Sequence, residues 1–285
     1  MVRIDPDPAR AVADFHTLFN IVLAAAFLPV LGPFSRALQW LLPPQIDPAD
    51  PSRLLYLDDS AKETPIVALG GAAREALRLT DVLDDMLRGA RDALVNDDRK
   101  SITETRRLDD ILDRLNTAIK TYLTSIDPDE LSSADHRRLD QILTFATNLE
   151  QAGDVIDRNL LPHAGNRLKR GLAFSREGQS DLTDMMDRLI VNLRTAGSLF
   201  MTEDNRAARL LADEKIAFRD AEAAATSAHV ERLRSGRLDS AETSALHLDL
   251  LRDMKQINSH LVAAAAYPVL ERAGELLPSR LAARR

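Results

Sequence analysis

The sequence contains no cysteine, which excludes disulfide bonds, thiolate metal sites and cysteine nucleophiles together. Aromatic residues make up only 4% of the chain and glycines number 11, whereas Ala, Leu, Arg, Asp and Glu are abundant. Because most of these abundant residues favour helices, the composition predicts an all-α fold. The formal net charge of −7, with acids and bases interleaved, argues against the basic face that nucleic-acid binding requires.

Recognisable catalytic motifs are missing as well. The six histidines are scattered without the spacing of metal ligands. The single Gly-Gly pair, Gly70-Gly71, lies inside a helical pattern and lacks the preceding strand of a phosphate-binding loop. We find no nucleophile elbow in the sequence, and we therefore expect a protein that is not an enzyme.

One long apolar run stands near the start of the chain. From Phe15 to Ser35 no residue is charged apart from a proton on His16. An unbroken helix over this run would be about 31 Å long, close to the roughly 30 Å of hydrocarbon in a bilayer. The residues before it carry more acids than bases, which argues against a secretory signal. We therefore predict a transmembrane helix within residues 1–42.

A buried or interfacial soluble helix is the alternative interpretation of this run. Pro29, Gly32 and Pro33 favour it, because the part before Pro29 would cover only about 21 Å. Proline is nevertheless tolerated in membrane helices when neighbouring helices satisfy the freed backbone groups. Arg36 and Trp40 then follow where interfacial anchors are expected. The sequence leaves both interpretations open.

Residues 43–63 are predicted to form a linker, because the prolines of PPQIDPADP prevent a regular helix. After Thr64, which can cap a helix that starts at Pro65, apolar residues recur at helical spacing in six runs. The third run is expected to end before Pro162. A connection rich in glycine and basic residues, His163–Gly178, separates it from the fourth.

The two halves of this helical region match each other. Placing Glu150 over Asp249 also aligns Asp154 with Asp253 and Asn159 with Asn258. We therefore predict two antiparallel three-helix bundles that repeat one design, with the two asparagines in equivalent environments. The predicted boundaries are 64–163 for the first bundle, 177–277 for the second and 278–285 for a basic tail.

Pairs of carboxylates at i,i+4 spacing share one helix face, where like charges repel unless a cation lies between them. Carboxylate pairs on facing helices of a bundle build di-iron and di-manganese sites, and oxygen ligands suit Fe, Mn or Mg better than zinc. The predicted cofactor is therefore a divalent or trivalent metal ion. The candidate ligands are Asp109, Asp113, Glu150, Asp154, Asp157, Asp249 and Asp253.

A solvated acidic face remains the alternative, because Asp81 and Asp85 show the same spacing without such placement. In the second half, Lys215 and Arg219 stand at the positions that Asp109 and Asp113 hold in the first. We therefore expect the first half to be the better metal site. In the second half, Lys215 or Arg219 is instead expected to neutralise Asp249 and Asp253 by a salt bridge.

Several segments resemble the bacterial Na⁺/phosphate cotransporter family. Its last membrane helix is similar to the segments His16–Asn20 and Phe27–Pro33. The helices of its cytoplasmic PhoU-like region are similar to Leu149–Asp154, Asp157–Leu160, His247–Asp253 and Asn258–Leu261. The resemblance implies a PhoU-like pair of three-helix repeats, whose E/D-x-x-x-D motifs can hold multinuclear metal clusters. It covers nearly the whole chain, whereas the transport core of the family is not present in it.

From this resemblance we expect a membrane-attached regulatory region that takes part in phosphate transport without a complete transport core of its own. The expected location is the cell inner membrane, with the bundles on the cytoplasmic side. The expected partners are the transmembrane core of a transporter, another subunit of a phosphate-uptake system, or a second copy in a homodimer. The alternative is a free-standing, soluble PhoU-like metal-binding adaptor that regulates phosphate uptake or signalling.

Overall fold

The computed structural model describes residues 8–41, 50–235 and 243–275, and every regular element within these ranges is a helix. The predicted all-α class is therefore confirmed. The chain divides into two compact units, Met1–Asp50 and Pro51–Arg285. Residues 43–49 of the predicted linker and the predicted basic tail, 278–285, lie outside the described ranges.

The first unit contains one long helix, α1, which runs from Pro8 to Leu41 and continues through Pro29 and Pro33. Its segment Val12–Phe34 has a mean hydropathy of 1.9 and is long and apolar enough to cross a membrane. Every side chain of this segment is exposed. A continuous apolar surface of this length requires an apolar environment or a partner.

Among its described residues, the second unit contains two short 3₁₀ helices, Asp59–Glu63 and Pro128–Glu130, together with seven α-helices and one π-helical turn. In chain order, the α-helices and the π turn are α2 Pro65–Val95, α3 Arg99–Thr124, α4 Ser133–Val155, the π turn Ile156–Leu160, α5 Leu161–Arg170, α6 Arg176–Thr202, α7 Asn205–Arg234 and α8 Ser244–Arg272. Helices α2, α3 and α4 pack as one bundle, and α6, α7 and α8 pack as the second. The predicted pair of three-helix bundles is thereby confirmed.

The two bundles pack through corresponding helices, α2 against α6 and α4 against α8. Nε2 of Gln179, near the start of α6, donates to the carbonyl of Val95 at the end of α2 at 3.1 Å. Arg194, later in α6, pairs with Asp84 of α2 at 3.3 Å, so these helices are antiparallel. Asn148 of α4 and His260 of α8 meet at 3.3 Å between Oδ1 and Nδ1. Because first helix meets first and third meets third in opposite directions, the halves are related by an approximate twofold axis.

Polar side chains cap several of the helices. Ser132 and Asp135 form a reciprocal capping box at the start of α4, with bonds of 3.2 and 3.0 Å. Asp98 accepts from the Lys100 N–H at 2.8 Å at the start of α3. Pro65 opens α2 as predicted, although the side chain of Thr64 makes no cap hydrogen bond.

The expected end of the third helix before Pro162 is wrong. The chain passes from α4 through the π turn directly into α5, where Pro162 occupies the first turn. Proline is tolerated there because the π turn has already interrupted the regular i→i−4 ladder. The helical path ends only at Gly171, whose φ of 66° is the left-handed conformation that glycine adopts readily. The expected connection His163–Gly178 is therefore mostly helix.

Asn159 and Asn258 do not have the equivalent environments that the sequence match predicts. Asn159 donates to Asp253 of the other bundle at 3.2 Å, whereas Asn258 accepts from Asn192 within its own bundle at 2.8 Å. Asn159 lies in the π turn, while α8 passes Asn258 as an uninterrupted α-helix. The extra residue in the π turn changes the direction of the Asn159 side chain, which explains the difference.

Residues 51–63 form a strap across the first bundle, and this strap follows α1 in the sequence. The carboxylate of Glu75, which is 0% exposed, accepts from the N–H groups of Leu55 at 3.0 Å and Tyr56 at 2.8 Å. Arg78 holds the same carboxylate and donates to the carbonyl of Pro51 at 2.5 Å. The predicted linker is thus an ordered part of the bundle from residue 51 onwards.

The strap also explains why position 71 of the Gly70-Gly71 pair is a glycine. A Cβ added at Gly71 would lie 2.4 Å from the carbonyl oxygen of Tyr56, whereas one added at Gly70 would meet nothing within 4 Å. Only a glycine at position 71 allows the strap to approach α2 this closely.

We expect Gly71→Ala to displace the strap and to lower the free energy of unfolding by about 1–3 kcal/mol through the clash with Tyr56. The matched control is Gly70→Ala, which should raise it by about 0.5–1 kcal/mol because alanine favours the helix. Chemical denaturation measures both changes, and proteolysis at Arg53 reports release of the strap. Equal stability of the two variants would contradict the close approach.

Candidate functional site

The site begins with a close approach of α3 and α4 at Gly153. A Cβ added there would lie 2.3 Å from Cδ2 of Leu112 and 3.6 Å from Oδ1 of Asp109. Glycine therefore allows these helices to touch, and the residues around the contact are brought together. Asp109 lies one turn before Leu112, and Asp154 directly follows Gly153.

Five of the seven predicted ligands surround this contact, and we call them the acidic cluster. They are Asp109 and Asp113 of α3, Glu150 and Asp154 of α4, and Asp157 of the π turn. Burial, followed by the nearby carboxylates of Asp157, Asp113 and Asp154, raises the pKa of Asp109 to about 7. Burial followed by the charge of Asp154 also raises the pKa of Asp113 and of Glu150. The structure thus brings the predicted carboxylates of the first half together.

Two arginines supply counter-charge at the rim of the acidic cluster. Arg158 lies 2.9 Å from Oδ1 of Asp154, and Nε of Arg106 lies 3.6 Å from Oδ1 of Asp157. Their side chains are 68% and 55% exposed, so solvent screens these pairs and either arginine can move away at little cost. Oδ1 of Asp109 is buried and has no hydrogen-bond partner among the described residues. The cluster therefore remains short of positive charge.

The donor chemistry of the acidic cluster suits a hard cation, but its side chains do not close around one. Within the described ranges, no three Asp, Glu or His side chains stand close enough together to hold a single ion. Carboxylate oxygens alone are ligands that Mg, Mn and Fe accept. A cation could enter only if the carboxylates turned inward and the two arginines turned out.

The second half keeps its two acids apart from any such cluster. Asp253 of α8 is 2% exposed, and its Oδ1 accepts from Nδ2 of Asn159 at 3.2 Å. Its Oδ2 lies 3.6 Å from Nε2 of His163, and burial raises its pKa above the usual range. Asp249, one turn earlier, pairs with Arg252 at 2.8 Å. These acids lie where α8 passes the π turn and α5.

The expected salt bridges from Lys215 and Arg219 to these acids are wrong. Lys215 donates to the hydroxyl of Tyr267 at 2.8 Å, and Arg219 pairs with its neighbour Asp220 at 3.2 Å. Helices α7 and α8 are antiparallel, so Lys215 stands level with the last part of α8. An alignment of the two halves pairs residue positions, but it does not contain the position of one helix along the axis of its neighbour.

A buried pair of histidines was not expected from the scattered histidine positions. The rings of His229 and His247 stack with centroids 4.5 Å apart, and their exposed fractions are 2% and 1%. Burial, followed by the charges of His229 and Arg232, lowers the pKa of His247 to about 4. The ring of His247 is therefore neutral at physiological pH and packs as part of the second bundle.

The chain is similar in sequence to proteins that are already known. The sequence model of the PhoU domain matches residues 76–158, which include all five acids of the acidic cluster. The protein named "Putative inorganic phosphate export protein YjbB" from Escherichia coli (strain K12) is 36% identical over 275 residues, covering 96% of this chain and 50% of the relative. The protein of the same name from Salmonella typhimurium (strain LT2) is 38% identical over 263 residues, covering 92% and 48%. The chain thus spans about half the length of these curated relatives.

Two solved structures share the fold. PhoU from Pseudomonas aeruginosa has a TM-score of 0.66 at 17% identity, over 73% of this chain and 98% of the other. The phosphate transport system regulatory protein PhoU from Streptococcus pneumoniae has a TM-score of 0.66 at 15% identity, over 76% and 100%. The chain therefore has a PhoU-like fold.

The raised pKa of Asp109 predicts a pH-dependent stability. The folded state holds this proton more tightly than the unfolded chain, so the resulting stability is fully present below about pH 4 and is lost as pH rises through about 7. Asp109→Asn mimics the protonated carboxyl at every pH. In metal-free buffer we expect the variant and the unchanged protein to melt alike near pH 4, and the unchanged protein to melt at a lower temperature by pH 8.

The control for this pH series is Asp140→Asn, which alters an exposed carboxyl of α4 outside the acidic cluster. Its melting temperature should follow that of the unchanged protein throughout. A constant difference between Asp109→Asn and the unchanged protein from pH 4 to 8 would contradict the burial and repulsion at Asp109.

Proposed function

We propose that this chain is a membrane-attached, PhoU-like regulatory region of a phosphate-transport protein of the Na⁺/phosphate cotransporter type. Helix α1 crosses the inner membrane, and the two bundles act on the cytoplasmic side by contact with a transport core or another subunit. The chain performs no catalysis in this proposal.

The observation that carries the proposal is the combination of α1 and a PhoU-like pair of bundles in one chain. The relatives named as phosphate export proteins match 96% of the chain, so the match includes both the apolar helix and the bundles. The apolar segment Val12–Phe34 has the length of a membrane span. A PhoU-like region joined to such a segment is held next to the membrane in which transport takes place.

The acidic cluster supplies the regulatory input in this proposal. The carboxylates of the acidic cluster would hold a cation such as Fe, Mn or Mg, which would supply the counter-charge in place of the guanidinium groups of Arg106 and Arg158. Such a charge would favour the ionised form of Asp109, because a positive ion nearby stabilises a carboxylate. The state of the cluster therefore depends on the supply of metal and on pH.

The strap contacts α3, which carries part of the acidic cluster, and it follows α1 in the sequence. Arg114 directly follows Asp113 of the cluster, and its guanidinium donates to the hydroxyl of Ser52 in the strap at 3.2 Å. Glu75 and Arg78 hold the same part of the strap from the side of α2. A change in the position of α3 on metal binding would therefore move the segment that follows α1 in the chain.

A free-standing, soluble PhoU-like adaptor is the second candidate function. In that case α1 buries its apolar face against protein rather than lipid. The two candidates differ in how the chain associates with membranes, which fractionation measures directly.

We expect the chain to remain in the membrane fraction after carbonate extraction, because a spanning helix is held by its apolar length. Leu23→Arg, near the middle of the apolar segment, should release it, since an arginine at a helix centre costs about 2.5–3.5 kcal/mol of insertion. The matched control is Val12→Arg at the segment's end, where the side chain can reach the interface. Extraction of the unchanged chain by carbonate would contradict the membrane proposal and favour the soluble adaptor.

A further inference from the structure

The face of α5 that carries its basic residues lines a cleft against the first turns of α8. His163, Asn166, Arg167 and Arg170 follow one another at i, i+3, i+4 and i+7, so they share one side of α5. They form one wall of a cleft of about 180 Å³, and Leu246 and Asp249 of α8 contribute to the other. We call this space the α5–α8 cleft.

The residues that line the α5–α8 cleft include two arginines and one acid. Arg167 is only 4% exposed, and its Nη1 donates to the carbonyl of Leu172 at 3.2 Å while its Nη2 binds Asp97. Its Nε is buried and has no hydrogen-bond partner within the described part of the chain. Arg170 is exposed and makes no ion pair with any described residue. The single acid in the wall, Asp249, is already paired with Arg252 at 2.8 Å.

Three properties of the cleft favour a small anion over an organic ligand. Its volume leaves room for one small polyatomic ion with water. Guanidinium groups bind oxyanions through charge-assisted hydrogen bonds. The first turn of α8, a helix of 29 residues, adds partial positive charge to the opposite wall. Arg167 lines the cleft as a buried side chain, and its Nε has no hydrogen-bond partner among the described residues.

We propose that the α5–α8 cleft binds inorganic phosphate. Asp249 gives the reason for choosing phosphate among oxyanions, because a carboxylate can accept a hydrogen bond from the O–H group of a protonated anion. Inorganic phosphate keeps at least one proton at neutral pH, whereas sulfate has none to donate and is repelled by the carboxylate. The relation to phosphate transport rests on the proposed function, but the charge and size of the cleft do not.

Binding at this cleft would act on the interface between the two bundles. Nε2 of His163, in the wall of the cleft, lies 3.6 Å from Oδ2 of the buried Asp253, which also accepts from Asn159. A phosphate ion that draws His163 into the cleft takes it away from Asp253. The cleft therefore provides a second input, separate from the acidic cluster, that reaches the contact between α8 and the π turn.

Calorimetric titration of the full chain in detergent with inorganic phosphate tests the proposal. We expect one saturable site, and we expect Arg170→Gln to weaken binding about tenfold or more through loss of a charge-assisted bond. The matched control is Lys169→Gln, which removes an exposed charge from the adjacent position of α5 outside the cleft. Both positions are exposed, so neither change threatens the fold.

Competing anions separate the remaining outcomes. Sulfate should bind far more weakly than phosphate, and Asp249→Asn should narrow that difference. Absence of saturable binding, an equal effect of Lys169→Gln and Arg170→Gln, or equal binding of sulfate would overturn the proposal. Tighter binding of glycerol 3-phosphate than of inorganic phosphate would assign the cleft to a phosphate ester and overturn the inorganic ion. These results do not depend on carbonate extraction, so the proposed membrane attachment stands or fails separately.

Discussion

The contact of α3 with α4 at Gly153 is the constraint on which the candidate site depends. Because position 153 has no Cβ, Leu112 can fill the space beside it, and the turns that carry Asp109 and Asp154 face each other. Like charges on such turns repel, and burial of Asp109 strengthens the effect by removing water. Packing energy of the apolar residues around this contact therefore maintains an arrangement that its own carboxylates oppose. Such an arrangement responds readily to a proton or a cation, which is the property expected of a regulatory input.

The two halves of the fold differ in the groups that neutralise their carboxylates. In the first half the counter-charges, Arg106 and Arg158, are exposed and replaceable. In the second half Asp253 is enclosed by Asn159 and His163 at the contact between the bundles. A buried acid with fixed polar partners holds two helical elements in register. An acidic cluster whose partners are exposed arginines can exchange those arginines for another positive charge. The two halves of the approximate repeat therefore differ in how exposed the partners of their acids are.

Apolar periodicity was sufficient to predict the helices and their grouping into two bundles. The i,i+4 pairs pointed to acids of the first half whose charges act on Asp109, but within the described ranges these side chains do not close around an ion. Pro162 misled the prediction because a rare π turn accommodates it, and no simple sequence signal marks that turn. The glycines and the proline around α5 therefore predict a connection there, although the spacing from His163 to Arg170 is helical. The partners of Lys215 depend on the relative axial position of the antiparallel helices α7 and α8, which an alignment of the halves does not contain. The prolines of the strap predict only a linker, because its contacts with Glu75 use backbone groups that any sequence carries.

The apolar helix, the strap, the acidic cluster and the α5–α8 cleft are considered together in the proposed function. In the proposed function the apolar helix attaches the protein to the membrane. The strap follows that helix in the sequence, and α3, which carries part of the acidic cluster, contacts the strap through Arg114. The proposed anion site is the α5–α8 cleft, between α5 and the first turns of α8. In this account the opposite charges of the two sites give the PhoU-like region one input for cations and one for phosphate.

The most direct test of the central claim is thermal melting of the chain with and without Mn²⁺, Fe²⁺ or Mg²⁺. If the acidic cluster binds metal, stability should rise by about 2.7 kcal/mol at a hundred times the dissociation constant. The rise should disappear when Asp113 and Asp154 are both changed to Asn, and it should persist when Asp81 and Asp85 are changed instead. Absence of any metal-dependent rise, together with no metal in elemental analysis, would show that these acids form a solvated face.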